Sequence, residues 1–195
     1  MEAIDRLHST AESHHRIMVV EVMGRHAGWI AVHSGIAGGA DLILIPEVPI
    51  KMQEVCDVIK KRHDRGKHFS IIVVAEGAKF DGTEVLMEKK VDEFGHVRLG
   101  GIGELLGSKI EEMTKLETRV AVLGHIQRGG SATAYDRVLG TRFGEGAVQL
   151  VNHKQFGQMV ALRGNEIVNI PITEAVSKLK TVPAPYYDMA RTFFG

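Results

Sequence analysis

Residues 70–75, Ser70-Ile71-Ile72-Val73-Val74-Ala75, form an almost wholly apolar, largely β-branched run that stops at Glu76-Gly77. A run with no polar alternation has no solvent face, so it reads as a strand buried on both sides. Working outward, Ile17–Val22 (IMVVEV), Asp41–Ile45 (DLILI, stopped by Pro46) and Arg119–Leu123 (RVAVL) read as three more strands. Helical patterns separate them: His26–Ala37 ended by Gly38-Gly39, Met52–Arg65 and Ile102–Lys115. Apolar strands alternating with helical lengths predict an α/β fold: a three-layer sandwich with a mostly parallel sheet and helices on both faces.

The tail follows another pattern. Ala132–Val151 predicts a long helix, and Gln158–Arg163 with Glu166–Ile170 a hairpin turned at Gly164-Asn165. Two short helices are expected around Thr173–Lys180 and Tyr187–Phe194. Lys79–Leu99 is polar and reads as a flap or a loop carrying a short helix. No linker separates two cores, so residues 1–195 are expected to form a single domain.

Composition narrows the function. The chain of 195 residues carries 24 basic and 24 acidic side chains, and its zero net charge removes the bulk electrostatic case for nucleic acid or an anionic membrane. A single cysteine, Cys56, excludes an intrachain disulfide scaffold and suits a reducing compartment. No apolar run approaches the ~20 residues that span a bilayer, and no signal-peptide layout opens the chain. A soluble, cytoplasmic protein with neither nucleic-acid nor membrane partners is the expectation. Glycine is in excess, 22 of 195, and it gathers at the ends of apolar runs.

In an open parallel sheet, ligands collect at the carboxyl ends of the strands. The first strand ends in Met23-Gly24-Arg25-His26, the third in Glu76-Gly77, and the fourth in Gly124-His125-Ile126-Gln127-Arg128-Gly129-Gly130. The last supplies His, Gln and Arg donors within four residues, with glycines that let backbone N–H groups face a ligand. That inventory suits an anionic, hydroxyl-rich ligand such as a sugar phosphate, with an arginine fork for the phosphate. Glu76 could accept from sugar hydroxyls. The plain alternative is that His125 and Arg128 cap a helix and pair with surface carboxylates. Pro46-Glu47, after the second strand, does not look like a binding turn.

Other patterns carry less. Arg16 and Arg119 stand at strand beginnings, opposite the expected pocket, where they read as solvated charges unless they serve another subunit. Gly101-Ile102-Gly103 lacks both a preceding strand and the spacing of a dinucleotide fingerprint, and Gly107-Ser108-Lys109 is not a phosphate loop. His14-His15 and His26 lack metal-ligand spacing, so no metal site is expected. The basic run Lys60–His68 reads as a solvated helix end, with an effector role for Arg65 and Lys67 as the minor alternative.

Val20-Glu21-Val22-Met23-Gly24-Arg25, Ala37-Gly38-Gly39, Glu76, and Gly124–Gly130 with Tyr135-Asp136-Arg137 together resemble 6-phosphofructokinase. The resemblance runs over essentially the whole chain and is nearest to the longer actinobacterial group that uses ATP, pyrophosphate or either donor. Nothing in residues 1–15 matches the family's phosphoryl-donor half, so the chain resembles the C-terminal, fructose 6-phosphate-binding half. The resemblance implies that Met23, Gly24, Arg25, Glu76, His125, Ile126, Gln127 and Arg128 bind the sugar phosphate. It places Arg25 beside the transferring phosphoryl group and assigns Arg16 and Arg119 to a neighbouring subunit's site. It further implies a homo-oligomer, dimer or tetramer in the intact enzyme, and Mg2+ with ATP or pyrophosphate bound by the absent half, none by this chain alone. The chain by itself is then expected to lack turnover. Without the donor half, the long helix and the hairpin are expected to expose part of an apolar face. A non-catalytic sugar-phosphate-binding or oligomerisation module is the competing reading, and a nicotinamide oxidoreductase, lacking its glycine fingerprint, is the weakest.

Overall fold

The computed structural model of the chain describes residues 1–82 and 101–195. The expected flap over Lys79–Leu99 falls, from residue 83 on, outside the described residues. Four strands form one parallel sheet: β1 (Ile17–Val22), β2 (Leu42–Leu44), β3 (Ser70–Ala75) and β4 (Thr118–Val122), in the order β2-β3-β1-β4. Every residue of β1, β2 and β3 is buried, as their unalternating sequences require. β4 lies at an edge and is only partly buried, with Arg119 and Val122 exposed.

Helices cover both faces. On one side α1 (Glu2–His14), α2 (Trp29–Ala37) and α7 (Ala184–Arg191) pack with Met18, Val20 and Val22 of β1 and with Ile71 and Val73 of β3. On the other, α3 (Met52–Asp64) and α4 (Ile102–Thr114) pack with Ile17, Val19, Ile72 and Val74. Alternate residues of each strand thus serve opposite layers, which gives the expected three-layer sandwich. Glu21 belongs to the α4 face of β1 and is only 3% exposed. Its carboxylate accepts the backbone N–H of Gly103 at 2.8 Å and of Gly101 at 3.2 Å, satisfying donors that the first turn of α4 leaves unpaired. A buried anion is tolerable there because these bonds and the helix dipole replace its water.

Several boundaries differ from the sequence reading. No element is expected before Ile17, yet α1 fills that segment. Its polar sequence hides a narrow apolar stripe of Ile4, Leu7 and Ala11, of which Ile4 and Ala11 are buried. The helix expected from His26 begins at Trp29, because Gly24 to Gly28 form a turn in which Ala27 N–H reaches Gly24 O. Residues 124–128, which the sequence reading places after the fourth strand, wind into a 3-10 helix.

Where the sequence reading expects one domain, the described residues divide into two compact units, 1–128 with 181–195 and 129–180. The second contains α5 (Ala134–Asn152), the antiparallel hairpin of β5 (Gln158–Arg163) and β6 (Glu166–Pro171), and the short α6 (Ile172–Ala175). Thr133 caps α5 by accepting Asp136 N–H at 3.2 Å. This unit is sparsely buried. Leu150 is the buried residue of α5, while Val138, Val148, Val151 and Phe156 are exposed. An exposed apolar face on this segment is what the sequence reading expects.

Candidate functional site

The register of the sheet sets three strand ends level. Val22 of β1 pairs with Ala75 of β3, and Glu21 pairs with Val122 of β4, so Met23, Glu76 and Leu123 leave the sheet side by side. Glu76 N–H donates to Val22 O at 2.8 Å and Leu123 N–H to Glu21 O at 3.1 Å, which carries the pairing one step beyond the strands.

Two side chains then bind these ends to one another. The Glu76 carboxylate accepts through Oε1 from Arg25 N–H at 3.1 Å and Gly24 N–H at 3.4 Å. Gln127 Oε1 accepts Met23 N–H at 3.3 Å while its Nε2 donates to Gly24's counterpart in the fourth loop, the carbonyl of Gly124, at 3.2 Å. The loop after β1 is thereby held from both sides. Gly77 makes this possible: a Cβ there would lie 1.6 Å from the Arg25 carbonyl oxygen, so only glycine lets the two backbones approach. Arg25 itself has φ of 50°, a left-handed conformation that costs a non-glycine residue of this kind about 1–3 kcal/mol. The bond to Glu76 holds it there.

The expected ligands Met23, Gly24, Arg25, Glu76 and Gln127 are therefore brought together in one unit, with the 3-10 helix carrying His125, Ile126 and Arg128 directly after Gly124. Arg25, His125 and Arg128 are exposed, and Ile126 is 82% exposed. Among the described residues none of the three cationic candidates forms an ion pair with a carboxylate. Glu76 keeps its second oxygen, Oε2, clear of the loop bonds. The arrangement offers three cationic or donor side chains and one acceptor oxygen on an open shelf at the carboxyl edge of the sheet.

The opposite end of the sheet holds Arg16 and Arg119. Both converge on Glu117: Arg16 Nε lies 3.0 Å from Glu117 Oε2, and Arg119 Nη2 bonds the other oxygen. The Arg16 guanidinium beside it, with the nearby Arg119 charge, holds the Glu117 carboxyl below its usual range. Glu117 was not singled out by sequence, nor was the pairing of the two arginines. Arg65, the minor effector candidate, donates instead to the Gly195 carbonyl at 3.1 Å. Among the described residues no group of three or more His, Cys, Asp or Glu side chains could hold a metal ion, and no helix is long and apolar enough to cross a membrane.

One contributor escaped the sequence reading. Glu47, dismissed with Pro46 as a poor binding turn, accepts Gly28 N–H through both oxygens at 3.0 and 3.1 Å and Val182 N–H at 2.8 Å. The signal was its position: like Glu76, it is an acid placed just past the carboxyl end of a buried strand.

Comparison with known proteins identifies the family. Residues 1–151 match the family model described as Phosphofructokinase. All 195 residues are 56% identical to an "ATP-dependent 6-phosphofructokinase" of Mycobacterium bovis and 56% identical to a "Pyrophosphate--fructose 6-phosphate 1-phosphotransferase" of Streptomyces coelicolor, covering 57% of each. Among solved structures, phosphofructokinase from Saccharomyces cerevisiae superposes on 98% of this chain with a TM-score of 0.73 at 33% identity, over 24% of its own chain. The chain belongs to the phosphofructokinase family. It spans little more than half the length of the bacterial relatives it matches.

Proposed function

We propose that this chain is the C-terminal, fructose 6-phosphate-binding half of a 6-phosphofructokinase. The observation that carries the reading is the clamped loop: Glu76 and Gln127 fix the Met23–Arg25 backbone while Arg25, His125 and Arg128 remain exposed and without carboxylate partners among the described residues. Arg128 and His125 would take the 6-phosphate, since charge-assisted bonds to phosphate contribute about 1.5–3 kcal/mol each. Glu76 Oε2 and the Met23–Gly24 backbone would orient the sugar. Arg25 would face the phosphoryl group in flight, where positioning and charge stabilisation supply most of the catalysis.

In the intact enzyme the sugar 1-hydroxyl would pass its proton to a base and attack the terminal phosphoryl group of ATP or pyrophosphate, giving fructose 1,6-bisphosphate and releasing ADP or orthophosphate. The catalytic base and the Mg2+-bound donor belong to the other half. Relatives named for ATP and for pyrophosphate match equally well at 56%. That equality supports a donor preference set by residues outside this chain. Arg16 and Arg119 would enter a neighbouring copy's site in a dimer or tetramer, and the intact enzyme would work in the cytoplasm.

The test is a calorimetric titration of the chain with fructose 6-phosphate, with Arg128→Ala as control. Binding that disappears in the control supports an autonomous sugar-phosphate site. Binding unchanged by the control, or fructose 1,6-bisphosphate formed by the chain alone, overturns the reading.

A further inference from the structure

We infer that Glu47 is a positioning residue for the sugar-phosphate loop, through a carboxylate bridge that ties the loop's far end to the chain's last segment. The inference rests on the reading of residues 23–25 as the substrate loop. Glu76 holds the near end of that loop, at Gly24 and Arg25. Glu47 holds the far end: both its oxygens accept the N–H of Gly28, the residue that opens α2. The same Oε1 accepts Val182 N–H at 2.8 Å, and Val182 is buried in the core layer that also contains Tyr187 and Ala190 of α7.

Three features make this a device and not an incidental cap. Gly28 has no room to move inward, because a Cβ there would stand 2.3 Å from Ile45 Cγ2 and 3.1 Å from Glu47 Oε2. The loop between the two carboxylates is short, so fixing Gly28 limits where Arg25 can point. Finally, the Glu47 charge sits at the N-terminus of α2, where the helix dipole favours an anion and strengthens its bonds to N–H donors. The segment 181–195, far from the site in sequence, therefore contributes to the rigidity of the loop through one side chain.

The experiment uses the full 195-residue chain and reads amide hydrogen exchange residue by residue, with fructose 6-phosphate affinity as the second readout. Glu47→Gln keeps the shape and one acceptor oxygen, and Glu47→Ala removes both. The expected result is a selective rise in exchange at Gly24, Arg25, Gly28 and Val182, of about tenfold in the glutamine variant and more in the alanine variant, with Val20 and Val73 in the core unchanged. Affinity for the sugar phosphate falls in the same order.

Tyr187→Phe is the control for general loosening. It removes a different anchor of the same segment, the Tyr187 hydroxyl bond to Ile43 O at 2.7 Å, and should leave exchange at Gly24 and Arg25 and the affinity within about twofold of wild type. Exchange at Gly24 and Arg25 that stays at wild-type levels in both Glu47 variants overturns the inference, as does a rise shared evenly with the core. Should the loop loosen while the wild-type chain shows no Arg128-dependent binding of fructose 6-phosphate, the positioning role stands and the substrate assignment falls.

Discussion

The Glu76 carboxylate accepts the backbone N–H of Arg25 at 3.1 Å and so holds a charged residue in a left-handed conformation at φ 50°. In the proposed site the acid would have two tasks: Oε1 fixes the loop, and Oε2 would accept from a sugar hydroxyl. Glu76→Ala should weaken fructose 6-phosphate binding by roughly tenfold to a hundredfold, because bonds to a charged acceptor contribute about 1.5–3 kcal/mol each. Glu76→Gln retains a carbonyl oxygen for the loop and should fall between the alanine variant and wild type. Titration calorimetry on the three proteins checks the order, and a glutamine variant as weak as alanine would show that charge, not loop geometry, dominates.

Arg25 gives a prediction of opposite sign for stability and binding. Glycine at this position removes the left-handed strain of about 1–3 kcal/mol but adds about 0.5–1 kcal/mol of unfolded-state entropy. Denaturant unfolding of Arg25→Gly should therefore show stability equal to wild type or higher, while affinity for the sugar phosphate drops at least about tenfold. A variant destabilised by more than about 1 kcal/mol would mean that the Arg25 side chain supports the fold and is not held in strain for a ligand.

Arg16 and Arg119 share Glu117 at the end of the sheet opposite the loop. If they serve a neighbouring copy, Arg16→Ala and Arg128→Ala oligomers each contain only damaged sites. Mixing the two creates hybrids in which one site carries both changes and its twin carries neither. In a randomly mixed dimer about a quarter of all sites are then intact. Titration of the mixture with fructose 6-phosphate should recover that fraction at wild-type affinity. Recovery of none places Arg16 outside a neighbouring copy's site.

Much of this organisation could be read from the residues alone, for identifiable reasons. β3 was legible to the residue because nothing in Ser70–Ala75 competes with a doubly buried strand. The hairpin was legible because Gly164-Asn165 leaves one place for the turn. The convergence of the strand-end loops was legible because they follow strands whose direction the helical spacing had already set. α1 was not, because three small or medium apolar side chains on a charged helix make a weak periodic signal. Glu21, Glu47 and Glu117 were not either. Each acts on a backbone N–H or a guanidinium that is distant in sequence or on another strand, and only tertiary packing shows which donors an acid meets. The division at residues 129–180 was hidden for a related reason: it has no linker composition, only a thinner core.

Tyr187 offers a test of the α7 packing that is independent of any ligand. Its ring is buried, its hydroxyl donates to Ile43 O, and burial pushes its ionisation up to about 12 from an ordinary value near 10. In the unfolded chain the phenol ionises near its ordinary value, so between these limits the folded state binds the proton that the unfolded state has lost. The contribution is complete below about pH 10 and is lost as the pH climbs towards 12. Two units correspond to roughly 2–3 kcal/mol. Tyr187→Phe should cost about 1 kcal/mol at neutral pH through the lost hydrogen bond. It should also show a shallower decline in stability than wild type above about pH 10. Urea unfolding of both proteins at a series of alkaline pH values isolates this difference from the lysine and arginine background they share. Parallel curves would mean that the Tyr187 hydroxyl reaches solvent and that α7 does not seal this edge of the sheet.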